Sequence, residues 1–588
     1  MTPQVDDGRD GSRADRRAWG LALGGAVAMF LVQPPADLWY LAWLAPLPWL
    51  ALVQAPRLPG TRPWRAIWAG GLLHWLLAIH WLRLPHPATS IGWIALSAYL
   101  AGYVPLFVWS ARRLVHRWRW PLVPAAMVAW MACEQVRGSL LGGFTFGGIG
   151  HTQWRWTTLI QAADAVGAVG VGGVVMAGAA GIATLLHAGC RRHAVIDAAR
   201  AAAIVVLALA YGGWRLAGEP ARGRALDVLL VQGSVDTELK HDPDAAAEVA
   251  RHYDDLTLAG LAETGPDARP DLVVWPETMW RWSLLEIDPE RVLDEPLLAH
   301  LLGPAAPEAD AATHAERQAR GRAELERERL DALATYATRY RTTWLVGLDR
   351  QVATPRAPGG ARHYNSALFL DADGVPLARY DKMHPVMFGE YVPLAERFPI
   401  LYRLTPLPAG LTAGTRPVAL EVAGFRVAPT ICYETALPDA IRSLVRELAA
   451  AGAKPDVIVN LTNDGWFWGS SELDMHLTAA IFRAVEVRTP IVIAANTGFS
   501  AAIDGSGRLL ARGPRRATAA LRVRVTPDGR SSPWLAWGTL PVAGCVAVVA
   551  AATLEAVVAG RRRGPGWSTE GAQAEVLEPD GPARRSTG

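Results

Sequence analysis

Residues 425–439 read FRVAPTICYETALPD. A β-branched, apolar run ends on a cysteine, and a helical stretch follows at 438–452. Working outward, the same alternation recurs on both sides. Downstream lie DVIVNLTND (456–464), a helix around 474–488 and IVIAANTGFSAAID (491–504). Upstream lie ALDVLLVQG (225–233), a helix near 243–264, DLVVWPE (271–277), a charged helical stretch (311–340), TTWLVGLDR (342–350) and NSALFLDADG (365–374). Short Val- and Ile-rich strands alternating with helices predict an α/β domain over residues 222–528, its strands buried on both faces.

The rest of the chain has another composition. Hydrophobic residues make up 51% of the 588 and charged residues only 19%, too apolar for a disordered chain and unusual for a purely soluble one. Net charge is +3, which excludes a general polycation for nucleic acid. Sixteen of the 25 tryptophans lie in the first 216 residues, and tryptophan favours the membrane–water boundary. A crossing helix needs roughly 17–25 apolar residues. Seven candidate spans precede residue 220, near 18–34, 37–54, 65–82, 89–110, 121–137, 162–189 and 195–216, and an eighth runs over 533–560. Arginines crowd alternate loops: Arg9, Arg13, Arg16 and Arg17; Arg57, Arg62 and Arg65; Arg112, Arg113, Arg117 and Arg119; Arg191 and Arg192; Arg561, Arg562 and Arg563. The intervening loops hold little more than Arg83, Arg137 and Arg155. By the positive-inside rule both termini are expected in the cytoplasm and the α/β domain on the far side. The tails, 1–17 and 561–588, are polar and expected to be disordered.

Four residues at or just after strand ends could carry chemistry, where open α/β sheets commonly place it: Glu277, Lys382, Glu390 and Cys432. Singly, each has an ordinary reading as a solvated loop residue or, for the cysteine, a small buried hydrophobe. Together they say more. Cys190, Cys133 and Cys545 fall in or beside apolar spans, so Cys432 is the only cysteine of the α/β domain, and no CxxC pair suggests zinc or disulfides. A thiol must lose its proton to attack, which a carboxylate can assist. An ammonium can stabilise the thiolate and a tetrahedral oxyanion. Cys–His catalysis through His384 or His476 stays open from spacing alone.

The motifs WPE, DK…FGEYVP, and ICYE followed by NLTNDGWF resemble the nitrilase (carbon–nitrogen hydrolase) superfamily. LVQGSV, YNSALF, MFGEYVP, ICYET, NDGWF and NTGFSAAIDGSG are similar to the apolipoprotein N-acyltransferase family, over nearly the whole chain except the tails and a 284–330 insertion. The resemblance implies eight transmembrane helices with a four-layered α/β/β/α domain between the seventh and eighth. It implies Glu277 as general base, Lys382 as oxyanion stabiliser and Cys432 as nucleophile, with Glu390, Tyr433 and Glu434 supporting them. The chain departs from the family pattern at Lys240-His241-Asp242-Pro243, in GGFTFGGIGHTQ (142–153) and at Met383-His384-Pro385. Those changes bear on lipid-chain and acceptor contacts more than on thioester chemistry.

The activity so implied is two-step acyl transfer at the outer face of a bacterial inner membrane. A phospholipid donor, typically phosphatidylethanolamine, acylates Cys432, and the thioester passes to the α-amino group of a diacylglyceryl-cysteine on an apolipoprotein. No metal or organic cofactor and no nucleic acid is implied, and a monomer is expected. The alternatives are a membrane-tethered amidase using the same residues and a non-catalytic scaffold, which would have no need of Glu277, Lys382 and Cys432 together. The arginine pattern makes one prediction. Reporter fusions after Arg192 and after Arg563 should read as cytoplasmic and one within 310–330 as extracytoplasmic; a cytoplasmic signal from 310–330 would reverse the topology.

Overall fold

The structure, a computed structural model, describes residues 8–188, 191–219, 223–236, 243–263, 269–303, 311–395, 397, 398, 400, 402 and 410–562. Cys190, Lys240, His241 and residues 563–588 lie outside them. The chain forms two compact units: residues 1–80, 91–215 and 537–588, and residues 81–90 with 216–536.

The second unit is built on two six-stranded sheets. The first contains β1 (Leu226–Gln232), β2 (Leu272–Ile287), β3 (Thr343–Ala353), β4 (Ala361–Leu370), β5 (Pro376–Asp381) and, from the far end of the chain, β12 (Ala519–Val525). The second contains β6 (Leu420–Val422), β7 (Phe425–Ile431), β8 (Val457–Thr462), β9 (Ile491–Ala495), β10 (Ala501–Ile503) and β11 (Leu509–Arg512). The strand orders are β12-β1-β2-β3-β4-β5 and β11-β10-β9-β8-β7-β6. In each sheet three parallel strands, β1–β3 or β7–β9, are flanked by antiparallel ones.

Alternation along the strands makes the layers. Leu226, Val228, Leu230, Leu272, Val274, Leu345 and Phe369 pack against Val427, Ile431, Val459, Leu461 and Val492 of the other sheet. Their neighbours Leu229, Val231, Val273, Trp275, Trp344 and Val346 point the other way, onto Val249 and Tyr253 of the Ala246–Ala262 helix and Leu333, Ala337 and Tyr340 of the Ala311–Tyr340 helix. Side chains two apart share a face. The helices Pro438–Ala450 and Glu472–Val487 pack together, and the latter lies against β9 and β10. The α/β/β/α order expected from the resemblance is the order found. The insertion after β2 is anchored by Gln318, whose amide exchanges bonds of 2.8 and 2.9 Å with the backbone of Leu293.

β2 is irregular where it matters most. Its pairing with β3 shifts between Trp275 and Trp280, and Thr278 has a φ of 54°. Glu277 sits on this bulge, a device that re-aims a side chain. Gly347 of β3 makes the bulge possible: a Cβ there would stand 2.3 Å from the Pro276 carbonyl oxygen and 2.7 Å from Glu277 Cα.

The first unit is helical, and several sequence expectations change here. Among the described residues four helices are long and apolar enough to cross a membrane: Thr89–Arg117, Ala163–His187, Arg192–Ala217 and Leu540–Ala559. The segment expected as a span over 37–54 is two short pieces, Trp39–Trp43 and Leu47–Gln54, with Pro46 between them. The 65–82 span is the 16-residue helix Pro63–Ala78. The 533–560 span breaks at Gly538, φ 57°, between Pro533–Trp537 and Leu540–Arg562. Leu122–Ser139 carries buried Glu134 and Arg137, 3.6 Å apart. Residues 8–17, expected in a disordered tail, belong to the helix Gly8–Leu31, which Asp15 ties down by accepting bonds from the Thr61 backbone (2.7 Å) and hydroxyl (3.2 Å). Buried charge in this unit is paired: Arg215 lies 2.7 Å from Asp164, which also accepts from Tyr211 at 2.6 Å.

Gly347→Ala is expected to lower the melting temperature of the full chain in detergent, overpacking of this kind costing about 1–3 kcal/mol. An unchanged melt would mean that the bulge yields freely.

Candidate active site

The candidate residues converge on the ends of strands from both sheets. Cys432 follows β7 and opens the short turn Cys432–Ala436. Its φ is 53°, a left-handed backbone in a residue with a side chain, which costs about 1–2 kcal/mol. Such outliers persist only where their surroundings enforce them. The side chain is partly exposed.

Lys382 follows β5 and is only 1% exposed. Its Nζ donates to Glu390 Oε1 at 2.6 Å and lies 3.6 Å from Glu277 Oε1. Burial works against the ammonium, but the charges of Glu390, Cys432 and Glu277 outweigh it and hold its pKa above the ordinary lysine value. Glu390 is itself fixed, since its other oxygen accepts the Val386 backbone N–H at 2.7 Å. Glu277 accepts from Asn365 Nδ2 at 2.6 Å and from the Asn463 backbone N–H at 2.9 Å, the second bond spanning the two sheets.

Burial pushes the Cys432 thiol well above its usual value, and the Glu277 carboxylate adds to the rise while Lys382 opposes it. The resting sulfur is therefore protonated beside a carboxylate. That arrangement suits a base that takes the proton as the nucleophile attacks.

Glu434 joins the lysine loop to the cysteine turn. It accepts from Tyr380 Oη (2.8 and 2.9 Å), from the backbone N–H of Met383 (2.8 Å) and His384 (3.0 Å), and from that of Ile431 (2.7 Å). Burial opposes its charge, yet the bonds from His384, Ile431 and Tyr380 and the charge of Lys382 bring its pKa below the usual carboxylate value. Tyr433 follows Cys432 in the turn and is half-buried.

The competing Cys–His reading finds both histidines occupied elsewhere. His384 is substantially exposed, with Nδ1 3.5 Å from Glu434. His476 is buried; Nδ1 lies 3.1 Å from Asp464 Oδ1, and Nε2 meets the Cys432 carbonyl at 3.1 Å and the Thr435 hydroxyl at 3.0 Å. Among the described residues the group able to hold a metal ion is Asp464, Glu472 and His476, whose ligand atoms lie within 4.8 Å of one another.

Comparison with known proteins shows what the whole chain is similar to. The carbon–nitrogen hydrolase family matches residues 259–529, and the apolipoprotein N-acyltransferase N-terminal domain matches residues 25–181. An apolipoprotein N-acyltransferase of Rhodopirellula baltica is 28% identical, over 88% of this chain and 93% of its own. Another, of Azotobacter vinelandii, is 30% identical over 89% of this chain and 92% of its own. The chain belongs to the apolipoprotein N-acyltransferase family. An amidase from Nesterenkonia sp. is also similar, at 18% identity and a TM-score of 0.32, over 52% of this chain and 92% of its own. This member of the apolipoprotein N-acyltransferase family is thus a membrane protein and an enzyme of the nitrilase superfamily.

Sequence reasoning missed Asn365 and Asn463, which orient Glu277, and the pairing of His476 with a backbone carbonyl. The asparagines lie in NSALF and NLTND, segments quoted as strands and as family motifs with no role given to either asparagine. It also missed Trp81, whose ring meets Phe467, the last residue of NDGWF, edge-on at 5.0 Å.

Two substitutions separate charge from shape. Glu277→Gln keeps the volume and removes proton acceptance, so turnover should fall by about 10²–10⁴-fold with little change in melting. Lys382→Met leaves Glu277 and Glu390 facing each other without a cation, so it should lose both activity and stability, a broken buried pair costing about 3–5 kcal/mol. A Lys382→Met chain melting like wild type would show that the ammonium does not hold the site together.

Proposed function

We propose that the chain transfers a fatty acyl group from a phospholipid, through a thioester on Cys432, to the α-amino group of the N-terminal diacylglyceryl-cysteine of apolipoproteins. The observation that carries this reading is Cys432 in its left-handed turn beside the buried cluster of Glu277, Lys382 and Glu390, in a chain that also carries membrane-length helices.

In the first half-reaction Glu277 takes the thiol proton as Sγ attacks the sn-1 ester carbonyl carbon. The carbonyl oxygen becomes an oxyanion, which the Lys382 ammonium stabilises. Collapse breaks the ester C–O bond, and the proton on Glu277 goes to the leaving alkoxide, giving a lysophospholipid and the thioester. In the second half-reaction the acceptor amine attacks the thioester carbon, Glu277 receives the amine proton, and the C–S bond breaks. The departing sulfur is reprotonated, and the amide product is the triacylated lipoprotein. Covalent catalysis fits two large substrates because they need not occupy the site together. Glu390 keeps Lys382 charged throughout, and Glu434 keeps the lysine loop against the nucleophile's turn.

In this reading the donor is phosphatidylethanolamine, the location is the bacterial inner membrane, and the catalytic domain (222–528) faces the periplasm between the seventh and eighth of eight crossings. The shorter and interrupted helices of the first unit would complete that count. The arginine alternation supports the orientation.

The test is direct. Full-length protein in detergent micelles, incubated with phosphatidylethanolamine and analysed by peptide mass spectrometry, should carry a fatty acyl group on Cys432 and none on Cys133, Cys190 or Cys545. Addition of a diacylglyceryl peptide should discharge it. An adduct on another cysteine, or small-amide hydrolysis indifferent to lipid, would overturn the proposal in favour of another nucleophile or of an amidase.

A further inference from the structure

Asp464 opens the short turn after β8, and Glu472 and His476 stand four residues apart on one face of the Glu472–Val487 helix. All three are buried. One ring nitrogen of His476 and one carboxylate oxygen of each acid lie within 4.8 Å of one another. Two carboxylates so close, out of water and with a single imidazole beside them, call for a positive charge. Glu472 shows the need most plainly. It is 4% exposed, and its Oε2 has no hydrogen-bond partner among the described residues. A buried polar atom is rarely left unpaired, and an ion is one of the few things that can pair it.

The bonds of His476 leave the nitrogen nearest the acids free to bind an ion. Nε2 lies 3.1 Å from the Cys432 carbonyl oxygen, which can only accept, so Nε2 carries a hydrogen. The Thr435 hydroxyl, 3.0 Å from Nε2, donates its own hydrogen to that same carbonyl at 3.2 Å and turns a lone pair to the ring. In the neutral ring Nδ1 is then a bare lone pair, and it faces Asp464 Oδ1 at 3.1 Å. Two acceptors at that distance repel each other unless a proton or a cation joins them. Two ligands each about 2.1 Å from one ion, and adjacent around it, stand about 3 Å apart. The outer bonds fit the same picture. A metal-bound histidine commonly gives its other N–H to a carbonyl, and a ligating carboxylate is itself held, as the Thr462 hydroxyl holds Asp464 Oδ1 at 2.8 Å.

We propose that Asp464, Glu472 and His476 bind one divalent cation of the zinc or manganese kind, through one oxygen of each acid and His476 Nδ1. An imidazole with two carboxylates suits these ions better than magnesium or calcium, which favour oxygen alone. The two positive charges cancel the two carboxylates, and Glu472 gains its missing partner. The role is structural: through the Nε2–H of His476 the ion holds the Cys432 carbonyl, and with it the turn after β7, to the helix.

The experiment uses untagged full-length chain, expressed with added Zn²⁺ and Mn²⁺ and purified in detergent without chelator. Elemental mass spectrometry should find about one of these ions per chain. Glu472→Gln, similar in volume but a poor ligand, should carry roughly tenfold less, and Asp464→Asn should behave likewise. Asp474→Asn, which removes a neighbouring charge outside the cluster, and Cys432→Ala should both keep the ion. EDTA should lower the wild-type melting temperature and Zn²⁺ or Mn²⁺ restore it, since an ion bound only by the folded chain stabilises it. Glu472→Gln should melt like the stripped wild type and not respond to either ion. Wild-type chain free of both ions, or a melt indifferent to EDTA, overturns the proposal and leaves a water or a neutral acid to satisfy Glu472. An ion lost in Cys432→Ala but kept in Glu472→Gln overturns it in favour of a site at the thiol. Neither readout uses a lipid, so the cation site and the acyl-transfer activity can fail separately.

Discussion

The ammonium of Lys382 is 1% exposed, and removing such a charge from water is affordable only where anions surround it. Glu390 at 2.6 Å and Glu277 at 3.6 Å supply them. Much of the site follows from that requirement. Glu277 must be turned inward from β2, so the strand bulges and β3 offers a glycine opposite. Glu390 must be locked on its loop, so its second oxygen takes the Val386 backbone. Glu434 must bring the lysine's loop to the cysteine's turn, so it is buried and saturated with donors. The ion cluster is thus an architectural element of the domain.

The membrane part obeys the same rule in a harsher solvent. Asp164, Arg215 and Tyr211 satisfy one another, as do Glu134, Arg137 and the backbone of Phe144, Phe146 and Ile149. Charges in apolar helices persist where partners are within reach. The segment 142–153, which departs from the family pattern, lies in this network: Arg137 takes the carbonyls of Phe144 and Phe146 at 3.0 and 2.7 Å. Its altered side chains leave the backbone acceptors intact.

Much of this was legible in the sequence. Glu277 and Cys432 were findable because each ends or follows a hydrophobic run of a parallel strand, and Lys382 because it follows a strand and stands eight residues before Glu390 in a motif of the family. Which residues of 226–231 and 272–275 face the other sheet was not legible, because these runs are apolar almost throughout and carry no polar alternation. Nor were the partners of the site residues. Asn365 reaches Glu277 from two strands away in the same sheet and Asn463 only when the two sheets dock in one register, and no local pattern encodes either pairing. His476 is the sharpest case: spacing left it open as a base, while its actual partner is a main-chain oxygen, invisible to any reading of side chains. The breaks within the helices were hidden for a different reason. Hydropathy sums residues over a window and is blind to a break at Pro46 or Gly538, while the charged start of the first helix looked like a tail because Asp15's partner, Thr61, lies far along the chain.

The bond from the Asn463 backbone to Glu277 and those from Tyr380, Met383 and His384 to Glu434 all run from one sheet to the other. Neither sheet alone contains a base, an ammonium and a thiol in register. Reactivity is therefore a property of the closed sandwich. A chain with only one sheet formed holds the carboxylate and the ammonium without the thiol, or the thiol without them, so the three groups meet only when the sandwich closes.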